Sequence, residues 1–257
     1  MELIKLTPEN LEKEHICCAI SNNKDCQVAS KKAWLSQRMQ EGLVFLKANA
    51  RGKCFIEYLP AEYAWAPVEA PNYMYIDCLW VSGKFKGQGI SNQLLEACMQ
   101  DSRQKGKSGL AILSSEKKRS FLSDKKFLLH KGFQVADKAE PYFELMYLPF
   151  EENAPMPKIK ENARKAQISQ KGFVLYYTSQ CPFTAKYAPL IEQSAREKNL
   201  PFTSIHIENC SEAQSMPILF TTYALFYNGE FVTHEILSVK KFENLAEELI
   251  GCKTEEL

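Results

Sequence analysis

The chain has 257 residues, room for two domains of ordinary size, and its 45% hydrophobic and 25% charged content suits a globule with a real core. Lysine and arginine number 32 against 31 aspartate and glutamate, and the formal net charge of +1 excludes the broad cationic field of a general nucleic-acid binder. With 15 Phe, 11 Tyr and 3 Trp to bury, a disordered chain is excluded as well. Glu9, Glu12, Lys13 and Glu14 interrupt any apolar leader. The longest charge-free run, Ala213 to Gly229, is too short and too polar to span a bilayer, so no membrane partner is expected. Nine cysteines, odd in number and without a Cys-x-x-Cys pair, predict reduced thiols and a cytoplasmic setting.

Residues 1–150 read as mixed α/β. A strand at Glu2–Leu6 precedes Thr7-Pro8, which can cap and open a helix to about Ile20. A second helix is predicted from Cys26 to Gln40, ending at Gly42. Strands follow at Val44–Lys47, Cys54–Leu59 and Tyr73–Val81. Ser91–Lys105 is helical, with Leu94, Leu95, Cys98 and Met99 on one stripe. A buried strand is expected at Gly109–Leu113, then a helix capped by Ser123 and closed by Gly132-Phe133, then strands at Gln134–Ala136 and Tyr142–Leu148.

Residues 151–170 have the composition of a linker, with Pro155 and Pro157 followed by a mostly basic, solvated stretch. Residues 171–257 give strand Phe173–Tyr177, helix Pro182–Asn199, strand Phe202–Ile207 and a short helix near Ser211–Ser215. Strand Tyr223–Tyr227 then turns at Asn228-Gly229 into Glu230–Ile236, before a helix at Phe242–Ile250. This β-α-β-α-β-β-α order resembles a thioredoxin-like domain. Cys181-Pro182-Phe183-Thr184 stands where that family carries Cys-x-x-Cys or Cys-x-x-Ser, and Thr221 falls near its cis-proline place. Cys181 at a helix N-terminus predicts a lowered thiol pKa, and Cys210 is a candidate disulfide partner.

The stretch from Ile76 to Ser91 carries the chemistry. A strand feeding a glycine-bearing loop that opens a helix gathers backbone N–H groups suited to a pyrophosphate. It is not a P-loop, because Ile90 follows Gly89 where lysine is needed, nor a dinucleotide fingerprint, because Asn92 stands at the third glycine.

Lys86-Gly87-Gln88-Gly89-Ile90-Ser91, with Gly132-Phe133 downstream, resembles the acetyl-CoA motif of the GNAT acetyltransferases. Lys86 replaces Arg/Gln, and Ser91 replaces Gly/Ala. The resemblance implies a GNAT-like mixed central sheet flanked by helices, so an α/β (α+β) chain with a smaller C-terminal thioredoxin-like α/β domain. It implies that Leu79, Trp80 and Val81 run beside the pantetheine arm and that Lys86 to Ser91 hold the diphosphate. The implied reaction is acetyl transfer from acetyl-CoA to an amine, with no metal. Asp77 is the favoured base and Glu57 the second. Leu128 occupies the place of the family's acid tyrosine, leaving His130, Tyr142 or Tyr147 to substitute. Both halves together resemble the bacterial YoaP-like acetyltransferases. The alternatives are a thiol-redox or thiol-binding protein using Cys181, or a non-catalytic CoA-binding regulator. A monomer or homodimer fits either.

Overall fold

The computed structural model describes residues 1–16, 22, 24–50 and 52–251. Strands β1 (Leu3–Lys5), β2 (Val44–Ala48), β3 (Cys54–Pro60), β4 (Val68–Glu69), β5 (Tyr73–Val81), β6 (Gly109–Ser115), β7 (Gln134–Ala139) and β8 (Phe143–Pro149) come first. β9 (Lys158–Ile159), β10 (Phe173–Tyr177), β11 (Phe202–His206), β12 (Tyr223–Tyr227) and β13 (Glu230–Thr233) follow. The helices are α1 (Cys26–Met39), α2 (Ile90–Gln104), α3 (Lys125–His130), α4 (Pro182–Glu197), α5 (Cys210–Gln214) and α6 (Val239–Gly251).

Seven strands form one mixed sheet in the order β1-β2-β3-β5-β6-β8-β7. Only β5 and β6 run parallel, which requires the α2 crossover between them. A second sheet has the order β11-β10-β12-β13, with β10 parallel to β11 and antiparallel to β12.

Period-two alternation sorts the side chains into layers. Met74 and Ile76 of β5 pack with Ile90, Leu94 and Leu95 of α2, whereas Tyr73 and Tyr75 face the opposite side. On β10, Phe173 and Leu175 meet Ile191 of α4 and Phe242 of α6. Val174, from the other face of β10, joins Ala224 and Phe226 in the same core as Tyr73, Trp34 and Leu35 of the first half. The two halves therefore share one apolar core.

A bulge interrupts β5. Glu57 pairs with Cys78 and Tyr58 with Ile76, which leaves Asp77 as the extra residue. The alternation changes phase there, so Cys78 and Trp80 lie on the Tyr75 side and Leu79 and Val81 on the α2 side. β5 and β6 pair only from Tyr73–Gly109 to Ile76–Ile112, so the later part of β5 has no neighbour on that flank.

Three expectations differ. The predicted first helix is a series of turns over residues 8–13, because Asn10 binds Thr7 N and Lys5 O with its own amide. Residues 14–16 are not helical either, and the rest of that prediction, Cys17 to Ile20, lies outside the described residues. The cap of α3 is Asp124, whose side chain accepts from Lys126 N and Phe127 N, not Ser123. The solvated linker is instead a packed clasp. β9 pairs with β4, Ile159, Ala163 and Ala166 are buried, and the Arg164 guanidinium grips both oxygens of Asp137 at 3.1 and 2.9 Å.

Candidate active site

The loop before α2 is built from backbone. Gly87 and Gly89 hold φ of 77° and 74°, a left-handed conformation that excludes ordinary side chains, and Gly89 is the N-cap. Gly89 O accepts from Asn92 N and Gln93 N, while Lys86 N bonds to Gly83 O. The amides of Gly87, Gln88 and Gly89 have no acceptor among the described residues, and those of Ile90 and Ser91 belong to the first helical turn, where none is available. Glycines 87 and 89 border open space, and Lys86 to Gly89 are exposed. These residues fit a diphosphate: free donors, a helix dipole behind them and a lysine beside them. Lys86 offers a point charge without arginine's planar fork.

On the opposite face of the seven-stranded sheet lies a cavity of about 480 Å³. The first half supplies Phe55 and Glu57 of β3, Tyr75 to Trp80 of β5, Ile112 and Leu113 of β6, Lys31 of α1 and the loop Ser120–Ser123. The second half closes it with Gln180, Cys181 and Pro182 and with Leu219 to Thr222. The unpaired edge of β5 beyond Ile76 runs between this cavity and the glycine loop.

Charge in the cavity is arranged asymmetrically. Lys31 Nζ lies 2.8 and 2.6 Å from the two Glu57 oxygens and 2.6 Å from Gln180 O; both side chains are 1% exposed. Trp34 Nε1 adds a longer bond to Glu57 at 3.4 Å. Glu57 is thus a satisfied anion that ties α1 and β3 to the second half. Asp77 is different. It has no hydrogen bond among the described residues, and its Oδ2 is sealed from solvent. Burial, reinforced by the Glu57 charge and opposed by Lys31, holds its carboxyl well above the ordinary aspartate range. Tyr75 is likewise pushed up by burial, with Asp77 adding to the effect, so it stays a neutral phenol.

The bulge brings Asp77 and Cys78 to one wall, and Cys181 lies on that same wall from the other half. Cys181 overturns the expected acidic thiol. Burial pushes it up to about 11, and neither the Phe183 amide nor Lys31 compensates. Thr184 donates to Thr178 O and Cys181 O, which makes it a clamp on the loop. Cys210, the candidate disulfide partner, opens α5 with its thiol turned to Ala64 O at 3.4 Å, so both cysteines are free thiols and the pairing is not formed. His130 sits exposed on the last turn of α3, outside the cavity lining. Tyr142 is bonded to His234 at 2.7 Å, and Tyr147 reaches Gln134 at 3.5 Å; neither lines the cavity.

Sequence reasoning missed Lys31, Cys78, Trp65, Gln180 and Thr222 as cavity residues. Lys31 carries no local signal, since nothing in a helix of mixed polarity marks one lysine for burial; only its pairing with Glu57 permits it. Among the described residues there is no group of three metal-ligating side chains and no helix long and apolar enough to cross a membrane.

Residues 9–121 match the model of the acetyltransferase (GNAT) family, and residues 201–244 match the YoaP-like model. A Bacillus subtilis (strain 168) protein described as an uncharacterized N-acetyltransferase, YoaP, is 44% identical over 243 residues, 94% of this chain and 97% of its own. Among solved structures, the PaiA N-acetyltransferase of Thermoplasma acidophilum in complex with coenzyme A is 17% identical, covering 58% of this chain and 100% of its own at a TM-score of 0.41. A GNAT acetyltransferase of Brucella melitensis in complex with acetyl-CoA is 16% identical, covering 60% and 91% at a TM-score of 0.38.

Proposed function

This chain belongs to the GNAT acetyltransferases of the YoaP-like kind, and on that premise we propose that it moves an acetyl group from acetyl-CoA to the amine of a small molecule held in the cavity. One observation carries the reading. Amides at 87–91 and an Asp77 oxygen, all without a hydrogen-bond partner among the described residues, lie on opposite faces of the sheet, joined by the open edge of β5.

Acetyl-CoA supplies the activated acyl group, and the chain supplies position and a proton acceptor. Amides of Gly87 to Ser91, with Lys86, hold the diphosphate. The free backbone of Leu79, Trp80 and Val81 hydrogen-bonds the pantetheine arm as a neighbouring strand would, which aims the thioester through the gap between β5 and β6. An aliphatic amine arrives protonated, and Asp77, in its ionised form, takes that proton. A carboxyl raised by burial is a better base than an exposed one. Glu57, held by Lys31, is not available as the proton acceptor. Tyr75 is a neutral phenol lining the cavity, a hydrogen-bond donor for the leaving thiolate that keeps its own proton; Tyr142 is engaged by His234 and His130 lies outside. A thiol of pKa ~8.5 also leaves without a dedicated acid.

The second half we read as a thioredoxin-like module serving as a wall. Its element order and its β11-β10-β12-β13 sheet support that reading. The Cys181 loop and the Thr221 position, turned to redox work in such modules, here face the first half. Free thiols at Cys26, Cys54, Cys78, Cys98, Cys181 and Cys210 support a cytoplasmic setting.

Asp77→Asn tests the base. We expect kcat to fall by about a hundredfold or more, the rise of rate with pH to disappear, and the acetyl-CoA Kd from calorimetry to stay put. A kcat within threefold of the parent would remove Asp77 from the reaction.

A further inference from the structure

We propose that the acceptor is a monovalent arylalkylamine, a small primary amine on a flat apolar body, and not a polyamine, an aminoglycoside or a peptide. The inference rests on the acetyl-transfer reading above and adds the substrate class to it.

Three observations lead there. The first is enclosure. At about 480 Å³ the cavity is in the lower part of the range for small-molecule sites, and it must also admit the acetyl end of the donor. Gln180 to Pro182 and Leu219 to Thr222 stand across it, where an open enzyme would let a peptide chain pass. Thr221 Oγ1 is hydrogen-bonded to Trp65 O and Lys31 to Gln180 O, so this closure is fastened to the first half.

The second is charge. Glu57 is fully engaged by Lys31 and Trp34. Of the two carboxyls lining the cavity, Asp77 is the one with a buried oxygen, Oδ2, that has no hydrogen bond among the described residues. A single ammonium entering there favours ionisation of this carboxyl and pairs with it. The further ammonium groups of a polyamine or aminoglycoside would be buried beside aromatic rings with no carboxylate left to pair them, which opposes their binding.

The third is shape. Phe55, Trp65, Tyr75, Trp80, Phe121 and Phe220 line the cavity, and rings favour a flat apolar partner. Phe121 is the most telling of these. It is 40% exposed and holds φ at 64°, a left-handed conformation that a bulky residue rarely adopts. Strain of this kind persists where surrounding structure imposes it, here on the loop that borders the cavity.

The test uses the full chain and four acceptors: 2-phenylethylamine, spermidine, kanamycin and a lysine-containing decapeptide. CoA release is followed for each, with acetyl-CoA affinity measured separately by calorimetry. We expect kcat/KM for 2-phenylethylamine to exceed the other three by at least a hundredfold. Phe121→Gly, which relieves the backbone strain and so threatens the fold least, should raise the KM for 2-phenylethylamine about tenfold and leave acetyl-CoA affinity unchanged. Binding without turnover gives a second check: Asp77→Asn should lose affinity for 2-phenylethylamine but keep that for 2-phenylethanol. Preference for any of the other three acceptors overturns the substrate class, as does a chain that binds acetyl-CoA yet acetylates none of the four. A chain that does not bind acetyl-CoA overturns the acetyl-transfer reading itself.

Discussion

The glycine loop at 86–91 and the cavity under β5 do opposite things with the same sheet. The loop is exposed, uses main-chain N–H groups and takes its shape from two left-handed glycines in one short run. The cavity is buried, uses side chains from at least six separated segments and takes its shape from packing. A backbone site tolerates most side-chain changes but not a change of dihedral. A side-chain site tolerates neither the loss of a partner nor a shift of the walls. Generic recognition of a shared donor suits the first design, and selection of one acceptor suits the second.

The largest expected effect tests the backbone site. Gly89→Glu places a carboxylate among the free amides at a φ of 74° and should abolish acetyl-CoA binding by calorimetry; unchanged affinity would mean the diphosphate sits elsewhere. Next comes the cavity's ion pair. Lys31→Met strands the Glu57 carboxylate and should cost about 3–5 kcal/mol in denaturant unfolding, whereas Lys31→Met with Glu57→Leu should recover most of it. Equal loss in both variants would show that the pair is not what matters. A smaller effect concerns the seam between the halves. His234 Nε2 lies 2.8 Å from Ser120 O, so it carries the proton, and Nδ1 accepts from Tyr142. Burial lowers the His234 pKa below its ordinary 6.5. The unfolded chain then binds the proton first, so this contribution is complete above about pH 6.5 and is lost as pH falls through the lower folded value. Acid should weaken the parent more than His234→Gln in paired unfolding curves. The smallest concerns Cys181. With its thiol pushed up to about 11, alkylation by iodoacetamide at neutral pH should be about a hundredfold slower than for an ordinary thiol. Rapid labelling would restore the redox alternative.

The loop was legible in the sequence because its chemistry is local: the glycine spacing, the strand before it and the helix after it lie within sixteen residues. β5 and β12 likewise have the residue limits that pattern predicts, Tyr73–Val81 and Tyr223–Tyr227. Asp77 was legible as a carboxylate entering the motif, but the bulge that turns both it and Cys78 to one side has no signature in a run of β-formers. Lys31 and Gln180 meet only after the two halves pack, 149 residues apart, and no spacing rule reaches that far. The Cys181 thiol went the other way. A helix N-terminus argues for an acidic thiol, and burial under the first half outweighs it. The clasp at 158–166 was misread because its charges resemble those of a solvated connector, while the buried Ile159, Ala163 and Ala166 are too few to show a period.

The apolar interior common to both halves has a practical consequence. Cutting the chain near residue 150 would not detach an accessory; it would unroof the acceptor chamber and leave Phe143, whose ring packs on Phe231 and His234, against water on one side. The surviving fragment would be prone to clump, and the liberated piece would present Val174 and Phe226 bare. Transplanting either half into a chimera therefore calls for carrying the matching face with it, much as an antibody light chain is moved together with its heavy-chain seam.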